Sequence, residues 1–390
     1  MTRGQKRRSQ LATLTLDLPS APLDHSLALH HAPAPRVVAL VPAHDEQRAI
    51  PEALASLHGQ TMALHRIVVV ADNCTDDTAV VARRHGAEVV ETTGNRDRKA
   101  GALNQALDLL LPTLSDDDLV LVTDADSMLV PGFVETAERR LRTDHTVGAV
   151  GGVFHGEAGA GLVGALQRNE YTRYAREISR RADRASVLTG TATVFRVGVL
   201  REVARARGDR LPGPAGHVYD PGALTEDNEI TLAVRTLGRR TVSPAGCGVL
   251  TEIMPTWGDL WHQRLRWQRG ALENLRGYGL TAVTAPYLAR QVGMYLGIIA
   301  VALFLLATTL FATAGLLGPP AGIWVGVTAV FVVERVWTVR ARGWRGIALA
   351  LPMVIEFGYD LFQQAVFLRA AADAVRGRRA TWHHLQPQEA

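Results

Sequence analysis

The sequence predicts an α/β protein, a mainly parallel sheet with helical crossovers, followed by transmembrane helices toward the C-terminus. Three observations carry this expectation. Short runs of β-branched and aliphatic residues, Val37–Val41, Ile67–Val70 and Leu119–Val122, alternate with helix-length segments, which is the pattern of βαβ units. Each run ends in polar residues, at His44, Asp72 and Asp124-Ala125-Asp126, and ligands bind beyond the carboxyl ends of such strands. Finally, Gln291–Val333 contains no Asp, Glu, Lys, Arg or His; roughly forty uncharged residues suffice to cross a hydrocarbon core twice.

Taken in order, residues 1–35 combine a basic start (Arg3, Lys6, Arg7, Arg8) with a Pro-, Ala- and His-rich stretch. No apolar core of a signal peptide follows, and little fixed structure is expected in this leader. The globular body spans 36–255. Its first strand, Val37–Val41, leads into Pro42-Ala43-His44-Asp45-Glu46 and a helix from about Gln47 to Leu57. After the second strand, Asp76 is placed to cap a helix over Thr78–His85, and Gly86 to stop it. Glu88–Val90 is a short third strand and Lys99–Leu110 a helix. Beyond the Leu119–Val122 strand, Gly148–Phe154 reads as one further strand, Leu162–Arg181 as a long helix and Gly208–Gly222 as a loop.

Residues 256–285 form an amphipathic segment, with a helix over Trp257–Leu275. Residues 286–370 read as a membrane region. Leu288–Leu317 is long enough to span with tilt, Gly318-Pro319-Pro320 breaks it, and Ile323–Val339 is a second span. Ile347–Leu368 is apolar but holds Pro352, Glu356, Asp360, Gln363 and Gln364, so it reads as a polar-lined third span or a Pro-broken hairpin. Residues 371–390 are a basic tail. Arg276 and Arg290 precede the first span and Arg340, Arg342 and Arg345 follow the second; the positive-inside rule then places the body in the cytoplasm.

A net charge of +4, without basic-aromatic interleaving, excludes a nucleic-acid-binding reading. Cys74 and Cys247 are far apart and lack metal-site spacing, as free thiols in a reducing compartment would.

The chemistry concentrates in a few stretches. Two carboxylates one residue apart at a strand end, Asp124 and Asp126, offer hard oxygens to Mg²⁺ or Mn²⁺, which in turn hold a diphosphate; the plainer reading is a solvated turn. Leu188–Thr193 is small and polar, so backbone at Gly190 and Thr191 can approach a ligand closely. Glu226 and Asp227 fall at a helix start, where the dipole alone favours acids. Gln263, Arg266 and Trp267 share one face of the Trp257–Leu275 helix, which also has the composition of a helix lying on a membrane surface.

Pro42-Ala43-His44-Asp45-Glu46, Asp72, Lys99-Ala100-Gly101-Ala102-Leu103-Asn104, Asp124-Ala125-Asp126, Thr225-Glu226-Asp227 and Gln263-Arg264-Leu265-Arg266-Trp267 occur in that order. The series resembles the family 2 membrane glycosyltransferases, the cellulose, chitin, hyaluronan and poly-N-acetylglucosamine synthase group, over about Arg36–Arg276. The resemblance implies a Rossmann-like GT-A catalytic domain, a nucleoside-diphosphate sugar donor such as a UDP-sugar, Mg²⁺ or Mn²⁺, and inversion at the anomeric carbon. It assigns Pro42, His44, Glu46, Asp72, Lys99, Asn104 and Asp124 to the donor, and Asp124 and Asp126 to the metal. Asp227 is the implied general base with Glu226 beside it, and Gly190, Thr191, Gln263, Arg266 and Trp267 position acceptor and diphosphate.

The long-chain synthases have a more extensive membrane region, and here nothing before Arg36 can span. The expectation is therefore transfer of one or a few sugars to a glycan, lipid or protein hydroxyl at the bilayer. The alternatives are a processive, secreting synthase, which would need a homo-oligomer or partner proteins to complete a pore, and, more remotely, a nucleotidyltransferase.

Overall fold

The computed structural model describes residues 3–17, 35–319 and 322–377, and it divides into two compact units, Met1–Thr256 and Trp257–Ala390. The first unit begins with a helix, α1 (Arg3–Asp17). This corrects the expectation of an unstructured leader, for reasons that lie in its ion pairs with distant acids. Residues 18–34 of that leader lie outside the described residues.

Four adjacent strands run parallel: β1 (Val37–Ala43), β2 (Arg66–Ala71), β3 (Glu88–Glu91) and β4 (Leu119–Thr123), in the spatial order β3-β2-β1-β4. Their crossovers are α2 (Ile50–His58), α3 (Thr78–Arg84) and α4 (Arg98–Leu110). All five residues of β4 and the first five of β1 are buried, which is why these strands read as continuous apolar runs rather than alternating ones. Leu40, Val69, Leu121, Phe133 and Phe195 are among the buried core residues; each such side chain contributes roughly 1.5–3 kcal/mol of burial. Asp76, expected to cap α3, lies one residue before its N-cap, Asp77, and accepts from the Thr78 amide at 2.9 Å.

After β4 the chain departs from the simple alternation. It makes β5 (Met128–Leu129), α5 (Phe133–Thr143), β6 (Val147–Gly151), β7 (Val153–Gly156), α6 (Gly161–Arg180), β8 (Ala192–Arg196), α7 (Val197–Ala206), α8 (Glu226–Thr236), β9 (Arg240–Val242) and β10 (Gly248–Thr251). β8 pairs antiparallel with both β4 and β6, and β6 pairs parallel with β9, completing seven strands in the order β3-β2-β1-β4-β8-β6-β9. β5, β10 and β7 form a separate three-stranded sheet.

Gly148–Phe154 is thus two strands in two sheets, not one. The chain crosses between them at Gly152, where an added Cβ would stand 2.5 Å from Val249 Cγ2; only glycine passes there.

In the second unit the helices are α9 (Trp257–Tyr278), α10 (Ala285–Thr313), α11 (Gly322–Val339), α12 (Gly343–Ala350) and α13 (Val354–Val375). Among the described residues, two segments are long and apolar enough to cross a membrane, Ala285–Thr313 and Gly322–Ala350, and only 6% and 11% of their most apolar windows is buried. A core helix of a soluble protein would be mostly buried. Ile347–Leu368 is neither expected form in full: the chain breaks around Pro352, with Met353 at φ 55°, and α13 then packs along α9. The Phe362 ring lies 5.0 Å from Trp257 and 5.7 Å from Trp261. Arg335 on α11 pairs with Asp360 at 2.5 Å and Glu356 at 3.4 Å, so the acids of this segment are matched by a cation. The tail expected from 371 is helical to Val375, and residues 378–390 lie outside the described residues.

Candidate active site

Register brings the strand ends together. Ala43 pairs with Ala71, and Leu40 with Val122, so the residues that follow β1, β2 and β4 emerge along one edge. β8 runs the opposite way, with Ala192 beside Thr123. An antiparallel strand begins where its neighbour ends, and this delivers Gly190 and Thr191 to the same edge. The Thr191 carbonyl accepts from the Asp124 amide at 3.1 Å and from Thr123 Oγ1 at 2.9 Å.

At the β1–β2 end, Asp72 is buried. Three donors converge on its Oδ1: Asn73 Nδ2 at 3.0 Å, Thr92 Oγ1 at 2.8 Å and Asn95 Nδ2 at 2.8 Å. Among the described residues none donates to Oδ2. His44 Nδ1 lies 2.6 Å from the Asp72 carbonyl oxygen. The turn after β1 places Asp45 at φ 56°, a conformation held by Asp45 accepting from the Thr75 amide at 2.6 Å and the Asp76 amide at 3.2 Å. Asp45, Cys74 and Asp76 bring ligand atoms within 4.8 Å of one another. Both carboxylates already serve backbone amides there, so the group acts as a loop clasp.

The α4 motif divides its labour. Lys99 Nζ bonds Asp124 Oδ1 at 2.6 Å, Glu226 Oε1 at 3.0 Å and the Gly190 carbonyl at 3.4 Å. Burial disfavours its charge, but the two carboxylates outweigh this and hold its pKa above the ordinary lysine value. Gly101 lets α4 approach the preceding turn: a Cβ there would lie 2.1 Å from Asn95 Oδ1, the side chain that supports Asp72. Asn104, expected at the donor, is instead buried, with Oδ1 accepting from the Tyr219 amide at 2.9 Å and Nδ2 donating to the Tyr219 carbonyl at 2.8 Å. Its amide has the two-sided geometry that matches a backbone unit, and it fastens the 208–222 loop to α4.

Acids crowd the β4 end. Asp126 accepts from Ser127 Oγ at 3.0 Å, and the same hydroxyl bonds Thr251 Oγ1 at 3.2 Å. Burial, with Asp124 and Glu252 nearby, raises the Asp126 carboxyl to about 7. Burial and the charges of Asp126, Glu252, Asp124 and Asp76 raise Glu46 to about 8. Carboxylates that resist ionisation together are short of positive charge, and hard oxygen donors in that state fit a divalent cation.

Glu226 and Asp227 open α8. Asp227 Oδ2 accepts from the Gly190 amide at 3.2 Å and Oδ1 from the Asn228 amide at 2.7 Å. Lys99, Gly190, Tyr219, Glu226 and Asp227 line a cleft of about 10 Å³, about one water's worth. The start of α8 is anchored from behind by a pair absent from the sequence reading. Arg207 and Glu229 are buried and joined twice, Nη1 to Oε1 at 2.6 Å and Nη2 to Oε2 at 2.7 Å. Arg207 also donates to the carbonyls of Pro212 at 2.7 Å, Val218 at 2.6 Å and His217 at 3.3 Å. The two charges are 22 residues apart, so no local pattern betrays them.

Pro42 lies within β1 and is half-buried. Gln263, Arg266 and Trp267 all lie on α9 of the second unit, at helical spacing. The Arg264 guanidinium stacks 4.2 Å from the centre of the Trp267 ring, fixing the indole by a cation–π contact.

Comparison with known proteins agrees with this architecture. Poly-β-1,6-N-acetyl-D-glucosamine synthase of Staphylococcus aureus is 25% identical over 245 residues, 60% of this chain and 54% of the relative. A probable glycosyltransferase of Bacillus subtilis, YdaM, is 26% identical over 249 residues, 60% of this chain and 55% of the relative. The chain spans about half the length of these curated relatives. Among solved structures, the mannosyltransferase PcManGT from Pyrobaculum calidifontis, in complex with GDP-Man and Mn²⁺, superposes with a TM-score of 0.56 at 19% identity, covering 97% of this chain and 96% of that one. This similarity shows a shared fold, the GT-A-like arrangement. The sequence profile described as "Glycosyltransferase like family 2" matches residues 34–270. With well over half its length matched by that profile, the chain belongs to glycosyltransferase family 2.

Proposed function

We propose that the protein is an inverting, metal-dependent glycosyltransferase that moves a sugar from a nucleoside-diphosphate sugar, such as a UDP-sugar, to an acceptor hydroxyl at the cytoplasmic membrane face. The observation that carries the reading is the linked set of Lys99, Asp124, Glu226, Gly190 and Asp227 on one sheet edge. The Lys99 ammonium joins Asp124 to Glu226 and to the Gly190 carbonyl, and the Gly190 amide in turn reaches the candidate base, Asp227.

In this reading Asp72, its Oδ1 saturated by neighbours, presents Oδ2 to the nucleoside, with His44 and Glu46 around base and ribose. Asp124 and Asp126 hold Mg²⁺ or Mn²⁺, which supplies charge neutralisation for the leaving diphosphate. Lys99 adds a point cation on the same side. The acceptor oxygen forms its bond to the anomeric carbon as the bond to the diphosphate oxygen breaks on the opposite face. Asp227 takes the hydroxyl proton, and the Gly190 and Asn228 amides fix its carboxylate. Glu226 is turned away from that task by Lys99. Gln263, Arg266 and Trp267 position acceptor and diphosphate, Trp267 offering an apolar face to a sugar ring.

In this reading one or a few sugars are transferred to a glycan, lipid or protein. The test is release of nucleoside diphosphate from a donor panel by the full chain in vesicles, with mass analysis of the products. Release and short products are expected. No release from the donor panel, with pyrophosphate formed instead from a nucleoside triphosphate and a sugar 1-phosphate, would identify a nucleotidyltransferase, and long polymer inside the vesicles a secreting synthase.

A further inference from the structure

The N-terminal helix is docked on the acidic end of the small β5-β10-β7 sheet. Arg7 is 4% exposed. Its Nε pairs with Glu157 Oε1 at 2.7 Å and its Nη1 with Glu52 Oε2 at 3.1 Å, while Nη2 donates to the backbone carbonyl of Asp126. Arg3 reaches Glu252 at 2.5 Å and Glu157 at 3.4 Å. Gln10 makes a paired contact with backbone, donating to the Gly156 carbonyl at 2.9 Å and accepting from the Ala158 amide at 2.8 Å. At Gly4 a Cβ would lie 2.1 Å from Glu52 Oε1, so a larger residue there would displace the Glu52 side chain that pairs with Arg7. Leu11 and Leu14 pack against the sheet core.

A buried guanidinium is costly unless opposite charges face it; Arg7 faces the carboxylates of Glu157 and Glu52 and donates to one acceptor in the turn that carries Asp124 and Asp126. That turn has two tethers: Ser127 ties the Asp126 carboxylate to Thr251 from one side, and Arg7 holds the Asp126 carbonyl from the other. Without Arg7, that carbonyl loses its charged donor, and Glu52 and Glu157 lose a buried partner.

We infer that α1 is an integral part of the donor site and that Arg7 is a positioning residue, holding the Asp126 turn in the geometry that receives a divalent cation. The inference rests on the metal assignment of the proposed function. It differs in sign from a mere counter-charge. Coulomb attraction alone predicts that removing a cation beside an acid cluster tightens Mn²⁺ binding, whereas loss of positioning weakens it.

The experiment is titration of the full chain in nanodiscs with Mn²⁺ alone, reading free Mn²⁺ by electron paramagnetic resonance. Arg7→Met is expected to weaken binding by about tenfold or more, and Arg7→Lys, which keeps the charge but not the three-way fork, by an intermediate amount. Wild-type or tighter binding in Arg7→Met overturns the inference. Should Arg7→Met not fold, Gln10→Ala carries the test: several-fold weaker binding is expected, and unchanged affinity is refuting. Asp126→Ala keeps the two claims apart. If it binds Mn²⁺ like wild type, the metal assignment fails and the inference with it; if it loses Mn²⁺ while the Arg7 variants do not, this inference alone fails.

Discussion

The Arg207–Glu229 pair offers the sharpest energetic prediction. Arg207→Met preserves most of the volume and apolar stem but removes the charge and the bonds to Glu229 and to the carbonyls of Pro212, His217 and Val218. Breaking a buried pair by removing one partner costs about 3–5 kcal/mol, because the other is left buried and unmatched. Folding stability is commonly about 5–15 kcal/mol, so the loss is a large share. Hydrogen exchange on the full chain, read in peptides covering 208–222 and α8, measures it directly. Three kcal/mol corresponds to roughly a hundredfold loss of protection. Replacing both partners, as Arg207→Met with Glu229→Leu, is expected to cost less than either single change, since no lone charge remains. Protection reduced less than about tenfold in Arg207→Met, or a double variant worse than the sum of the singles, would refute the reasoning.

Asp227→Asn keeps the shape that accepts the Gly190 amide but cannot take a proton, so steady-state turnover is expected to fall by about 10²–10⁴-fold with donor affinity retained; collapse of affinity, measured by calorimetry, would assign Asp227 to binding. Gly101→Ala drives a Cβ to 2.1 Å from Asn95 Oδ1 and so disturbs the support of Asp72; nucleotide affinity is expected to drop with Mn²⁺ affinity unchanged, and calorimetry with each ligand checks the split. Asp126 and Glu46 hold protons to about 7 and about 8 in the folded chain. The folded state therefore binds more protons than the unfolded one, and metal-free stability declines as pH rises from about 4 to about 8. Mn²⁺ displaces those protons, so its affinity rises over pH 6–8 and proton release accompanies binding; calorimetry in buffers of different ionisation enthalpy reads both.

The parallel half of the sheet was legible because a strand buried on both faces reads as a near-continuous apolar run, as 37–41 in β1, 67–71 in β2 and 119–122 in β4 do. The convergence of His44, Asp72 and Asp124 followed from strand direction alone. The strands around β8 were not legible, since β5 has two residues, β9 has three, and Ala192-Thr193 carries no period-2 alternation. Their pairing is decided by partners distant in the chain. The same applies to α1, whose sequence lacks an apolar stripe and which is held chiefly by ion pairs to Glu157 and Glu252, some 150 to 250 residues away by subtraction of residue numbers. Asn104 was misassigned because a motif fixes a residue's identity and helix position but not which way its amide faces. The break near Pro352 was visible in sequence as a choice between two forms, and the aromatic contacts of α13 with Trp257 and Trp261 account for the helix that follows it.

The central claim is that the edge built by Asp124, Asp126, Lys99 and Asp227 transfers sugar with the help of a divalent cation. The most direct measurement is Mn²⁺-dependent release of nucleoside diphosphate from a sugar donor by the full chain in a bilayer, wild type beside Asp126→Ala. Release that requires Mn²⁺, stops in excess chelator and is lost in Asp126→Ala is the expected result. Release that continues unchanged in chelator, or in Asp126→Ala, would contradict the account.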